Sequence, residues 1–319
     1  MPSAVPKIIY MPIMGKSFCV TIDTEPDCDV HWKRSSPLTF ESVLLGIPFI
    51  LRPIWEKFDI LPVYFVSPEV AENMDCCKVL KDEVKRGAEI GTHLHCEYIG
   101  PQTKYADAAG TPSDEFPCYA CSKEIESAKI KNLTDLIEKN LGVRPVSYRA
   151  ARYGADLDTM KILQELDYKI DSSVTPEIDW SKQGGPNHSY SPKQLYFVSE
   201  NDLYSPGNLK ILEVPITISG KRLPFLPDKW MYYRWLRPTL MTVIEMKMLV
   251  NEFLRKYDNP ILNMMFHSME VIPGKTPFVR TKLGQKLYLA RLEKIISYLK
   301  QKGFVNKTLQ TIYADVSKC

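Results

Sequence analysis

Short runs rich in β-branched and aromatic residues alternate along the chain with longer stretches of helical periodicity. Residues 18–23 (FCVTID) and 62–67 (PVYFVS) predict strands, and residues 42–57 between them predict a helix. A helix over 78–86, stopped by Gly87, precedes a strand over 89–93. Residues 121–140 read as a long helix ended by Gly142, then 146–150 as a strand, 155–166 as a helix and 169–173 as a strand. Beyond these, 210–218 (KILEVPITI) predicts one strand, and 239–256, 261–267, 284–302 and 304 onward follow as helix, strand, helix and strand. Seven or eight βα units in one chain predict a distorted (β/α) barrel, with an open doubly wound sheet as the competitor. Residues 97–120 and 181–238 break the pattern. They are too long for connectors, so they are read as functional loop insertions on a single domain whose core runs from about 17 to 316.

Composition narrows the partners. With 45% hydrophobic and 25% charged residues the chain has an ordinary globular balance, which excludes disorder as its main state. A net charge of +3 leaves no basic footprint for a nucleic acid. The longest apolar run, 43–51, contains Gly46 and Pro48 and stops at Arg52, far short of the ~20 residues of a membrane span. The start of the chain lacks the pattern of a secretory signal, and the eight cysteines show no disulfide-framework spacing, so a cytoplasmic protein with free thiols is expected. Cys118 and Cys121 have the spacing of half a zinc site, but no second such pair completes it.

In parallel α/β folds the chemistry sits at the carboxyl ends of the strands. Those ends are polar here: Asp23-Thr-Glu25-Pro-Asp27, Thr92-His93-Leu94-His95, Arg149, Asp171 and His267-Ser-Met-Glu270. Any one of these alone reads as a helix cap or a hydrogen-bonded structural histidine. Three of the five histidines on one rim, beside carboxylates, read as a site, because capping requires no histidine. His93 and His95 are two apart, which puts both imidazoles on one face of an extended segment. With a carboxylate they supply the two nitrogens and one oxygen of a catalytic zinc or related divalent ion. Asp23 and Glu25 share that spacing, so one can bind metal while the other accepts a proton; Glu97 is an alternative ligand.

The motifs TIDTEPD (21–27), EIGTHLH (89–95), YRAARYG (148–154) and MMFHSME (264–270), in this order and spacing, resemble those of the polysaccharide deacetylases, carbohydrate esterase family 4. The resemblance spans roughly residues 17 to 300. It implies Asp23 as catalytic base, Arg149 as the arginine that holds the base, His267 as general acid and His93 as the first histidine ligand. Thr24 stands where the family has a second aspartate, so Glu25 is taken as the displaced metal carboxylate, with Asp27 second. Glu97 occupies the usual second-histidine position, and His95 is the available histidine. Ala150 and Ala151 replace the usual prolines, leaving a backbone N–H near Tyr153 as the oxyanion donor. The carboxylate that tunes the general acid is expected to be Asp171 or Asp179.

Residues 221–237 interleave aromatic and basic side chains, from which Trp230 and Arg234 are expected, with Tyr153, to hold substrate. The competing reading packs these aromatics on the barrel or on the second subunit of a homodimer. The expected function is that of a metal-dependent hydrolase, zinc first, removing an N-acetyl group from an amino sugar in glycan or surface-polysaccharide biosynthesis, the sugar free or linked to a nucleotide or a lipid. The alternatives are hydrolysis of another C–N amide, of deformylase or ureide type, and a degenerate sugar-binding barrel without activity. An amidohydrolase or barrel phosphoesterase is a weaker fit, since those sites place H-x-H after the first strand.

Overall fold

The computed structural model describes residues 15–104, 115–221 and 232–318. Its strands are β1 (Ser17–Thr24), β2 (Val63–Val66), β3 (Glu89–Leu94), β4 (Ser147–Ala150), β5 (Ile170–Asp171), β6 (Tyr196–Phe197), β7 (Leu212–Glu213), β8 (Ile218–Lys221), β9 (Tyr232–Trp235), β10 (Ile261–His267) and β11 (Val305–Asn306). The main sheet has the order β10-β1-β2-β3-β4-β5-β7-β6, with β11 beside β1, and only the β6–β7 pairing is antiparallel. Every residue of β1, β2, β3 and β4 is buried, so β1 and β2 read as mainly apolar runs, while the polar residues of β3 and β4 are buried with them.

The sheet curls into a distorted barrel, and the seam closes by irregular backbone and side chains instead of a ladder. Thr217 N–H donates to Asn263 O at 3.1 Å, and Asn263 N–H donates to Thr217 Oγ1 at 2.8 Å. Gln194 brackets Ile261, accepting from its N–H at 2.8 Å and donating to its carbonyl at 3.1 Å. Pro215 explains why residues 210–218 are not one strand: it has no N–H for a ladder, so β7 ends at Glu213 and the chain resumes at β8, paired with β9.

The helices are α1 (Arg52–Phe58), α2 (Pro68–Glu72), α3 (Met74–Lys85), α4 (Pro117–Ala120), α5 (Lys123–Leu141), α6 (Leu157–Glu165), α7 (Val243–Lys256), α8 (Lys282–Gln301) and α9 (Leu309–Val316). The predicted helix over 42–57 begins as a wide π-helix (Ser42–Leu51) that runs into α1. Gly46 lets it approach the turn after β10, since a Cβ there would lie 2.8 Å from Val271 Cγ2. The α3 helix starts four residues before the expected position, because the Asn73 side chain caps it by accepting from the N–H groups of Asp75 and Cys76. Past residue 304 the strand is only β11; Thr308 then caps α9, which the apolar pattern alone did not separate from a strand.

Candidate active site

Strand register assembles the rim. Asp23 is the β1 partner of His267 on β10, and His93 on β3 is the partner of Arg149 on β4. Four residues from distant parts of the sequence therefore converge at one end of the barrel.

Arg149 is fully buried, with its guanidinium over the Phe65 ring at 4.4 Å. It donates to Asp23 Oδ1 at 2.7 Å, to Thr21 Oγ1 at 2.9 Å, and to the carbonyl and Oγ of Ser172, both at 2.9 Å. Asn263 ties this cradle to the seam, accepting from Thr21 Oγ1 at 2.8 Å and donating to Ser172 Oγ at 2.8 Å. Burial pushes the Asp23 carboxyl up, but the positive charge of Arg149 and the neighbouring His93 and His267 outweigh it, so Asp23 titrates below the usual range. Asp23 is a buried carboxylate held ionised.

Beside it, Glu25 Oε1 lies 3.1 Å from His93 Nε2 and 3.4 Å from His95 Nε2. His93 Nδ1 is 3.0 Å from Arg149 O, a carbonyl that only accepts, so Nδ1 carries a proton and Nε2 of the neutral ring turns a lone pair toward the carboxylate. A lone pair against an anion is unfavourable unless a cation or proton stands between them. Two ligands at about 2.0–2.1 Å from a tetrahedral zinc stand about 3.3–3.4 Å apart, close to the two separations seen here. The donor set of Glu25, His93 and His95 therefore fits a small divalent ion. Burial pushes Glu25 up, yet its interactions with the two imidazoles, His95 first, hold it well below the carboxylate range. Burial dominates at His95 and lowers it, whereas at His93 the Asp23 and Glu25 carboxylates overcome burial and raise it. Arg34, which the sequence reading did not single out, reaches His95 Nδ1 at 3.4 Å, stacks its guanidinium 3.8 Å from the Tyr98 ring centre and pairs with Glu69.

The two alternative ligands lie elsewhere. Asp27 is occupied in accepting the N–H groups of Glu41 at 2.7 Å and Ser42 at 3.0 Å, where it starts the π-helix. Glu97 groups with Cys96 and Glu115, and Cys96 lines a separate cavity of about 280 Å³.

His267 faces the pair from β10, with Nε2 3.8 Å from Glu25 Oε1 and 3.9 Å from Asp23 Oδ2. Its Nδ1 is 3.1 Å from Glu270 Oε1, and Arg237, bonded to Glu270, stands 3.0 Å from the same nitrogen. Glu270 thus occupies the position expected of Asp171 or Asp179. Asp171 is sealed in the sheet, bonded to Ser173 Oγ at 2.7 Å, and Asp179 is exposed and bonded to Ser181 N–H at 2.9 Å. The signal for Glu270 was its place three residues after His267, which the turn Ser268–Val271 folds back beneath the ring.

The cleft over these groups measures about 460 Å³. Its walls add Trp32, Trp180 and Phe278 from loops whose sequence carried no periodic signal, besides Tyr153 and Arg152. Trp32 meets the His267 ring edge-on at 5.4 Å, and Tyr153 stacks on Trp180 at 5.9 Å. Arg152 (φ 52°) and Tyr153 (φ 63°) are consecutive left-handed residues, a conformation that costs about 1–3 kcal/mol each and persists only where packing imposes it. Arg152 sits over the Phe116 ring at 4.5 Å, and Tyr153 OH reaches Met265 Sδ at 3.5 Å. Arg234 is buried in an ion pair with Glu252 and is not part of the cleft wall. Trp230 lies outside the described residues.

No family model and no curated protein matches the chain. Among solved structures it is similar to a family 4 acetyl xylan esterase from Clostridium thermocellum in complex with a cobalt ion, at 14% identity over 94% of this chain and 91% of that one, TM-score 0.47. It is also similar to the peptidoglycan deacetylase PdaC from Bacillus subtilis, at 13% identity over 95% and 92%, TM-score 0.45. A third is the Xyl-CE4 domain of a multidomain xylanase from the hindgut metagenome of Trinervitermes trinervoides, at 12% identity over 94% and 91%, TM-score 0.46.

Proposed function

We propose that this chain is a metal-dependent hydrolase that removes an N-acetyl group from an amino sugar in glycan or surface-polysaccharide biosynthesis. The carrying observation is the division of labour at the rim: an arginine-held carboxylate (Asp23), a His-His-Glu donor set, and a carboxylate-backed histidine (His267) facing both. Metal-assisted amide hydrolysis uses these three parts: a base, an ion and an acid.

Glu25, His93 and His95 would hold the ion, and zinc suits two imidazoles and a carboxylate. Such an ion lowers the pKa of a water toward about 7 and polarises the acyl oxygen. Asp23, kept ionised by Arg149, takes the proton of the attacking water. The amine leaves on the His267 side, where Nε2 hands it a proton while Glu270 stabilises the imidazolium through Nδ1. A backbone N–H at Tyr153 supplies the oxyanion donor, its position set by the left-handed turn at Arg152 and Tyr153. The aromatic walls give a sugar ring flat faces to lie against. The seven described cysteines are all free, which suits the reducing cytoplasm in which we place the enzyme.

The test is acetate release from acetamido sugars by metal-restored protein. Asp23→Asn and His93→Ala should each lower the rate by about a thousandfold or more. Undiminished release by either variant, or release of formate alone from N-formyl sugars, overturns the reading.

A further inference from the structure

Helices that connect parallel strands run antiparallel to them, so the π-helix, α7 and α8 all begin on the rim where the cleft opens. Each of the three exposes an apolar pair in its first two turns, at a spacing that keeps both residues on one stripe. These pairs are Leu45 (50% exposed) with Phe49 (72%), Ile244 (71%) with Met248 (48%), and Leu283 (67%) with Leu287 (51%). The three elements are neighbours. On one side, Tyr298 OH of α8 donates to Asn251 Oδ1 of α7 at 2.8 Å; on the other, Glu293 of α8 pairs with Lys57 of α1, the continuation of the π-helix. A single exposed apolar residue, such as Tyr190, carries no such meaning.

Charge identifies what covers this rim. Arg280, Lys282 and Lys286 are exposed beside Leu283 and Leu287 and make no ion pair with any described residue. On other faces some exposed lysines, such as Lys78, Lys85 and Lys131, pair with Asp75, Asp82 and Asp135, while others, such as Lys139, Lys182 and Lys210, make no ion pair with a described residue; what marks this rim is that its cations flank an exposed apolar pair. A cationic, apolar surface pressed against a second copy of itself would set like charges face to face. It is complementary to a surface that is apolar below and anionic above. Among the described residues no helix is long and apolar enough to cross a membrane, so the contact is a peripheral one.

We propose that this rim docks on a bilayer containing anionic phospholipid, holding the mouth of the cleft against the membrane surface. The inference rests on the surface and not on the reaction, so it stands or falls apart from the deacetylase reading.

The experiment is cosedimentation of the full chain with vesicles of phosphatidylcholine alone and of phosphatidylcholine mixed with phosphatidylglycerol. Binding is expected to the mixed vesicles only and to weaken as salt is raised. Lys282→Glu with Lys286→Glu should weaken it by about twenty-fivefold or more, at roughly fivefold per cation. Phe49→Ser with Leu283→Ser should cost about as much, through lost apolar burial. The control pair Lys78→Glu with Lys85→Glu should leave binding unchanged. Absence of binding to the mixed vesicles overturns the proposal, as does an equal loss in the control pair. So does a concentration-dependent dimer in light scattering that the Phe49→Ser, Leu283→Ser variant abolishes, which would make a second copy the occupant.

Discussion

Two pairs of buried carboxyl groups stand at strand ends of this barrel, and they are opposite in character. Asp23 and Glu25 have Arg149, His93, His95 and His267 around them, and both are held below the carboxylate range although they are buried at the floor of the cleft. Asp171 and Glu213 are neighbours across β5 and β7, fully buried, with no cation in direct contact among the described residues. Burial raises both, and Glu213, which also feels Asp171, goes well above its usual value. Glu213 held protonated is placed to donate to Asp171, so the two carboxyl groups share one proton as a structural tie inside the sheet. The same residue types at the same kind of position become reactive or structural according to whether a cation is within reach.

Arg149→Met should break the contrast most severely, because it makes the first pair resemble the second. Removing one partner of a buried ion pair costs about 3–5 kcal/mol of stability. The uncompensated Asp23 would then titrate higher, so the acid limb of the pH–rate profile should move up and activity at neutral pH should fall about a hundredfold or more. Thermal unfolding and a pH–rate series check this. A stable variant with an unmoved acid limb would show that Asp23 does not depend on its cation.

Glu270→Gln sharpens the contrast at the third member of the site. Burial raises Glu270, but Arg237 and His267 outweigh that and keep it ionised. With the amide in its place, Arg237 stands unopposed beside His267 Nδ1, and the imidazolium loses its stabilising charge. We expect kcat to fall about tenfold to a hundredfold with KM little changed, the mark of a residue that acts through another. Equal changes in kcat and KM, or none, would assign Glu270 to packing.

The reach of the sequence follows the same division between strands and loops. Asp23, His93 and His267 were legible because each ends a β-branched or apolar run, and the rim position of such residues follows from parallel topology. Two-residue spacing made Glu25 and His95 candidates, with Asp27 and Glu97 left open beside them, and the family resemblance favoured Glu25. Arg34, Trp32 and Trp180 were not legible, since they stand in irregular loops whose path depends on contacts with distant elements. Asp171 was misread for a related reason: a strand-end carboxylate looks alike in sequence whether its side chain meets Arg149, as Asp23 does, or lies beside Glu213, as Asp171 does. Pairing order, which decides between them, is not written locally.

The smallest expected effect lies at the second pair and appears only in the pH dependence of stability. Glu213 is protonated in the folded protein at pH values where the unfolded chain, with a carboxyl near 4.5, has ionised. Over that interval the folded state binds more protons, so stability is full below about pH 4.5 and falls as pH rises toward and through the raised folded value. Glu213→Gln keeps a neutral donor to Asp171 and removes this proton uptake. Relative to the parent, the variant should therefore be less stable or equal at acid pH and gain steadily as pH rises, by about 1.4 kcal/mol for each unit of displacement removed. Acetate release at neutral pH should stay within about twofold, since Glu213 does not line the cleft. Denaturant unfolding of both proteins at several pH values measures the slope; parallel curves would mean that Glu213 is ionised in the fold and that the two pairs are not opposites.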